Sequence, residues 1–139
     1  MESAGADDKV RTGSPLPFVS VVIPVLNAMD EVADCIAALR GQDYPVDRFE
    51  IVAVDNGSSD GTPARLAEFP AAQLLALPSN LGFVRGNNAG IAAAPAGNDI
   101  VLLNNDLEFL QRDWLQRLRA AAHSAPDIGV VGCRQVLSD

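Results

Sequence analysis

Positive charge is scarce in this sequence. Lys and Arg number 10 against 18 Asp and Glu, a formal net charge of -8 at pH 7. With no basic cluster to offset that balance, the chain repels a nucleic-acid backbone, which argues against DNA and RNA as partners. Cysteine is rarer still, with Cys35 in an expected helix and Cys133 in an expected strand. Such thiols are expected to be buried and free rather than joined. No apolar run is long enough to span a bilayer, and the acidic N-terminus lacks the apolar centre of a secretory signal. The chain is therefore expected in the cytoplasm, without a transmembrane segment. The GxGxxG and Walker glycine patterns are missing too, and a dinucleotide oxidoreductase would need such a turn where Pro24, Val25, Leu26 and Asn27 follow the first apolar run.

Apolar material is plentiful. At 139 residues and 48% hydrophobic, the chain can build one domain with a core. Met1 to Pro17 is short of large apolar side chains and reads as a disordered tail, leaving 18–139 as the folded unit. Five nearly continuous Val-, Ile- and Leu-rich runs read as buried strands: Phe18 to Val25, Phe49 to Val54, Gln73 to Leu77, Ile100 to Leu103 and Ile128 to Cys133. Helical patterns lie between them. Val32, Ile36 and Leu39 share a face of the first, with Asn27 as its expected cap. Thr62 and Pro63 open the second, and Phe83 to Ala94 is the third. Trp114, Leu115, Leu118, Ala121 and Ala122 form one stripe of the last. Strand and helix alternate, so an α/β fold follows, with a mostly parallel, Rossmann-like sheet flanked by helices on both faces.

Ligands of such sheets sit beyond the carboxyl ends of the strands, where three polar clusters fall. Asp55 follows Ile51 to Val54. Its carboxylate can accept a hydrogen bond from the imide N–H of uracil or thymine, which cytosine lacks, or it can cap the next turn. Asn56 to Gly61 also reads as turn chemistry. Asn104, Asn105 and Asp106 follow the fourth run, and their oxygens suit either a hard divalent cation or a polar turn. Asn80 to Gly90 is rich in Gly and Asn, and Arg85 within it could reach a base carbonyl or a diphosphate oxygen. His123, the sole histidine, has no obvious partner and reads as a surface residue. Trp114 reads as core, and Glu108 receives no role.

Taken in order, Val21-Val22-Ile23-Pro24-Val25-Leu26-Asn27, Val54-Asp55-Asn56-Gly57-Ser58-Ser59-Asp60-Gly61-Thr62, Asn80-Leu81-Gly82-Phe83, Arg85-Gly86-Asn87-Asn88-Ala89-Gly90 and Leu102-Leu103-Asn104-Asn105-Asp106 resemble the family 2 glycosyltransferases of the GT-A fold, nucleotide-diphospho-sugar transferases. The resemblance runs from Pro17 to Cys133. It implies a donor site for a nucleoside-diphosphate sugar, with Pro24, Val25, Leu26, Asn27 and Asp55 around the base and ribose, Asn56 also binding substrate, and Arg85 near base and diphosphate. Asn104, Asn105 and Asp106 match the family's DxD motif, with Asn104 where the first Asp usually stands and Asp106 as the direct ligand of Mn2+ or Mg2+. Such Asn-x-Asp forms resemble the rhamnosyltransferase-like branch, which points to a uridine or deoxythymidine diphosphate donor.

The family inverts the anomeric carbon by in-line attack of an acceptor hydroxyl, and its base and acceptor-binding residues lie in a later segment than Asp139. These residues are therefore expected to bind donor and metal without transferring sugar to the saccharide or lipid-linked acceptor, and to self-associate through an uncovered sheet edge. The intact protein could act at the cytoplasmic face of a membrane. The alternative is an inactive nucleotide-binding or regulatory module.

Overall fold

The structure, a computed structural model, describes residues 16–134. Four strands, β1 (Val19–Val25), β2 (Phe49–Asp55), β3 (Ala72–Ala76) and β4 (Asp99–Leu102), alternate with helices α1 (Val32–Arg40), α2 (Thr62–Ala67) and α3 (Phe83–Ala93), and α4 (Trp114–Ala122) follows β4. The strands form one parallel sheet in the order β3-β2-β1-β4. Because β1 and β2 are central and covered on both faces, they read as nearly continuous apolar runs, interrupted near their starts by Ser20 and Glu50. Residues Val21, Val22, Val52 and Val54 are inaccessible to solvent.

The pleat sorts these side chains. On one face Val19, Val21, Ile23 and Val25, with Ile51 and Ala53, pack against Val32, Ile36 and Leu39 of α1, Leu66 of α2 and Leu115 of α4. The α1 stripe is the one the sequence period selects, and each of its buried side chains contributes about 1.5–3 kcal/mol. On the other face Val22, Val52 and Val54 pack with Leu75, Leu77 and Ala93. Here α3 comes very close to the sheet. A Cβ on Gly90 would lie 2.3 Å from Val22 Cγ1 and 2.8 Å from Val54 Cγ2. Glycine at this position thus sets the depth of α3, and with it the height of its N-terminus at the rim.

Four local expectations change. Asn27 does not cap α1, whose first residue follows Glu31 with no side-chain cap; its amide instead bonds to the loop after β2. Thr62 is the first residue of α2 rather than its cap, with Pro63 in the first turn. Its N–H and hydroxyl both donate to Asp60 Oδ1, while its hydroxyl oxygen accepts the Ala28 N–H at 2.9 Å. His123 has a partner, Asp99, at 2.6 Å, which joins the end of α4 to the start of β4. Ile128 to Cys133 is not a strand, because a strand needs a neighbour and none among the described residues pairs with it. Val130 is accordingly 90% exposed, and Cys133 is exposed rather than buried.

Of the segment read as a tail, 1–15 falls outside the described residues. Leu16 packs against the core, and the Pro17 carbonyl accepts the buried Tyr44 hydroxyl at 2.6 Å. Cys35 is buried, as expected, and free. Burial pushes its thiol up to about 11, with the Asp106 carboxylate adding to the rise. Such a thiol stays protonated and inert at neutral pH.

Two outcomes test this packing. Gly90→Ala should destabilise the chain by about 1–3 kcal/mol through overpacking, measured by urea unfolding, while Gly132→Ala, whose Cβ meets nothing within 4 Å, should change nothing. A thiol reagent at pH 8 should label one cysteine in the native protein, Cys133, and both after denaturation; native labelling of Cys35 would contradict the buried face assigned to α1.

Candidate functional site

Parallel pairing brings the carboxyl ends of β1, β2 and β4 to one rim. The loop after β1 and the loop after β2 are stitched together there. The Asn27 N–H donates to Ser58 Oγ at 2.9 Å, and Asn27 Oδ1 accepts the Ser59 N–H at 2.9 Å. To reach both, Asn27 takes a φ of 49°, a left-handed conformation that Asn tolerates better than most residues. The Val25 carbonyl accepts the Asn56 N–H at 2.9 Å, so the two chains leave the sheet in register.

Asp55 ends β2 and is 3% exposed. Its Oδ1 accepts the Ser58 N–H at 3.3 Å, which makes it the cap of the following turn. This bond uses one oxygen, so capping leaves the second carboxylate oxygen available, and the two readings of Asp55 are compatible. Gly57, with a φ of 81°, carries that turn against Ser79, where a Cβ would lie 2.5 Å from the Ser79 carbonyl carbon.

Asn56 is committed to the next loop. Its Nδ2 donates to Asn80 Oδ1 at 3.2 Å and to the Gly82 carbonyl at 3.1 Å, and its Oδ1 accepts the Leu81 N–H at 2.9 Å. Asn80 Oδ1 also takes the Gly82 N–H at 2.9 Å. One buried side chain thus holds the Asn80–Gly82 segment against the end of β2 and delivers the start of α3 to the rim. Gly86 rests one turn further on, with its Cβ position 3.3 Å from Asn56 Nδ2 and 3.8 Å from Pro24 Cβ.

Together these segments wall a cleft of about 400 Å3. Pro24, Val25 and Leu26 line it from β1, Asn56, Asn80, Gly82 and Phe83 from the α3 side, and Asn104, Asn105 and Asp106 from the end of β4. Six of the residues expected at the site, Pro24, Val25, Asn56, Asn104, Asn105 and Asp106, are brought together there. Asp55 lies beneath the rim, while Asn27 and Arg85 are exposed and outside the lining. Leu26, 41% exposed, lies within the Pro24 to Asn27 segment expected around base and ribose, whereas Phe83, 66% exposed, was given no site role; its signal was an apolar residue directly beside the polar Asn80–Gly82 segment. A second cleft of about 370 Å3, between the end of α1 and the stacked Phe109 and Trp114 rings, carries Arg112 but no carboxylate.

Among the described residues no three His, Cys, Asp or Glu side chains converge as a metal cage. The oxygens available at the cleft are the Asp106 carboxylate and the Asn104 and Asn105 amides. A single carboxylate with neutral oxygens suits a hard cation that keeps water and takes phosphate oxygens as further ligands, and it does not suit a soft one. At the opposite side of the rim the Thr62 hydroxyl, then its N–H, hold the Asp60 carboxyl below the usual carboxylate range.

Comparison with known proteins identifies the family and the fold. The family described as Glycosyl transferase family 2 matches residues 20–139. Glycosyltransferase AglE of Haloferax volcanii is 36% identical over 108 residues, covering 75% of this chain and 35% of that protein. The succinoglycan biosynthesis protein ExoO of Rhizobium meliloti is 34% identical, covering 79% and 31%. The chain thus spans about a third of the length of these relatives. Among solved structures, the mannosyltransferase PcManGT of Pyrobaculum calidifontis in complex with GDP-Man and Mn2+ superposes with a TM-score of 0.68 at 27% identity, covering 76% of this chain and 32% of that one. S. aureus TarS 1-349 in complex with UDP-GlcNAc gives 0.67 at 22%, with the same coverages. The fold is that of the GT-A glycosyltransferases. A parallel sheet with its polar strand ends gathered on one cleft, matched by the family over 120 of its residues, places this chain in glycosyl transferase family 2.

Proposed function

We propose that these residues form the donor site of a glycosyltransferase, binding a nucleoside-diphosphate sugar with Mn2+ or Mg2+ for inverting transfer to an acceptor hydroxyl. The observation that carries this reading is the cleft lined by Asp106 and the Asn56, Asn80, Asn104 and Asn105 amides, with the buried Asp55 ending β2 beneath the same rim. Their separation of duties follows from burial. Asp55, buried and anchored by the Ser58 N–H, is a fixed acceptor suited to a base imide. Asp106 is exposed and suited to a cation.

In this reading Pro24 and Val25 give the base and ribose an apolar seat, Asn27 holds the loop that carries them, and Asn56 positions the Asn80–Phe83 wall. Arg85, exposed on α3, can swing toward the diphosphate. Asp106, Asn104 and Asn105 would hold the cation. Its bound charge would stabilise the departing diphosphate. As the acceptor oxygen bonds to the anomeric carbon, the bond from that carbon to the diphosphate oxygen breaks, and a general base removes the hydroxyl proton. None of the described residues is assigned as that base. The acceptor, a saccharide or a lipid-linked sugar, belongs to the proposal for the whole protein, as do action on the cytoplasmic side and self-association through the sheet edge.

PcManGT binds GDP-Man and TarS binds UDP-GlcNAc. Guanine, like uracil and thymine, presents a ring N–H to a carboxylate, so Asp55 separates these three from cytosine rather than from one another. Calorimetric titration with the uridine, deoxythymidine, guanosine and cytidine diphosphates, with and without Mn2+, is expected to show metal-dependent binding of uridine or deoxythymidine diphosphate and little of the cytidine one. Asp55→Ala should weaken nucleotide binding by about tenfold or more, the value of a hydrogen bond to a charged group, and Asp106→Ala should remove the metal dependence. Unchanged binding in both variants would sink the assignment.

A further inference from the structure

Asn87 lies on the sheet side of α3 and is 5% exposed. Its Nδ2 donates to the Phe83 carbonyl at 3.0 Å, which fixes the amide and leaves Oδ1 buried without a partner. A buried amide oxygen is rarely left unpaired, so it calls for a donor from outside its own helix.

The register of β1 and β4 indicates the donor. Phe83 and Asn87 are spaced i, i+4 and share one stripe of α3, and Phe83 walls the cleft together with Asn104, Asn105 and Asp106. Ser20 pairs with Ile100 and Val22 with Leu102, and the ladder continues as the Leu103 N–H donates to the Val22 carbonyl at 3.0 Å. Val22 belongs to the face beneath α3, so Leu102 does too, whereas Leu103 is buried on the α1 face. Asn104, exposed and two residues past the end of β4, follows Leu102 at the spacing that returns an extended chain to the α3 face, and it lines the same cleft as Phe83. The Asn104 side chain enters no hydrogen bond among the described residues.

We propose that Asn87 is a positioning residue of the donor site: its buried carbonyl oxygen receives the side-chain N–H of Asn104, and this turns the Asn104 carbonyl oxygen toward the cation beside Asp106. The pairing accounts for an asparagine at position 104. An ionised aspartate has no proton to give Asn87, so at this position the amide orients itself through one atom and serves the cleft through the other. The proposal rests on the donor-site reading above.

A double-mutant cycle on the full chain tests it, with Mn2+-dependent affinity for uridine diphosphate as one readout and thermal unfolding as the other. Asn87→Ala and Asn104→Ala are each expected to weaken metal-dependent binding by about tenfold, the usual cost of losing a group that orients a metal ligand. The double variant should be no weaker than either single one. Effects that multiply to about a hundredfold in the double variant would overturn the proposal, as would an unchanged affinity in Asn87→Ala. A role for Asn87 in helix packing alone would lower the unfolding temperature and leave the two substitutions independent. If the unaltered chain binds no nucleoside diphosphate at all, the donor-site reading itself fails and this pairing falls with it, an outcome distinct from binding without coupling.

Discussion

The central strands are buried on both faces, and a strand without a solvent face can present polar groups only where it ends. Everything at the rim follows from that constraint. Val22, Val52 and Val54 on one side and Val21, Ile23 and Ile51 on the other keep β1 and β2 apolar along most of their length, and the one charge inside them, Glu50, sits near the start of β2, where it accepts the Ser20 hydroxyl at 2.7 Å. Asp55 is the acidic residue at the carboxyl end of β2. Parallel pairing then brings Val25 and Asp55 to a common level, with Asn104 just past the end of β4 on the same rim, because all the strands point the same way.

The close approach of α3 converts that level into a cleft. Gly90 lets the helix settle on Val22 and Val54, Gly86 lets it clear Asn56 and Pro24, and Asn56 anchors the segment ahead of it. A helix held further out would lift Phe83 and Gly82 away from Asn104 to Asp106. Packing deep in the sheet and chemistry at its edge are therefore linked through one rigid element. The loops after β1 and β2 add to the rigidity through the Asn27, Ser58 and Ser59 bonds, so this part of the rim is held in place by the chain's own hydrogen bonds.

Much of this was legible in the residues. Nearly continuous apolar runs in β1 and β2 signal strands buried on both sides, and the α1 stripe follows from its 3.6-residue period. The polar strand ends could be read directly, and Pro24, Asn56 and Asn104 to Asp106 do meet. What the residues could not show was how their hydrogen-bonding capacity is divided. Asn27 looks like a helix cap in one dimension, yet its partners are more than thirty positions away. Asn56 looks like turn chemistry and proves to be the clamp on a distant loop. Asp99 and His123 are 24 residues apart and meet only because α4 returns to the base of β4. Ile128 to Cys133 has strand composition, but composition does not supply a pairing partner.

In the proposed donor site, cation and diphosphate gather at the carboxyl ends of β1, β2 and β4. Paramagnetic broadening of backbone amide signals by Mn2+ in the presence of uridine diphosphate reads this out by position. The account predicts selective loss of signal from Leu26, Gly82, Phe83 and Asn104 to Asp106, with Asn98, Asp99 and His123 at the opposite end of the sheet unaffected. Broadening centred on Asp99 and His123, or spread evenly over the surface carboxylates, would contradict it.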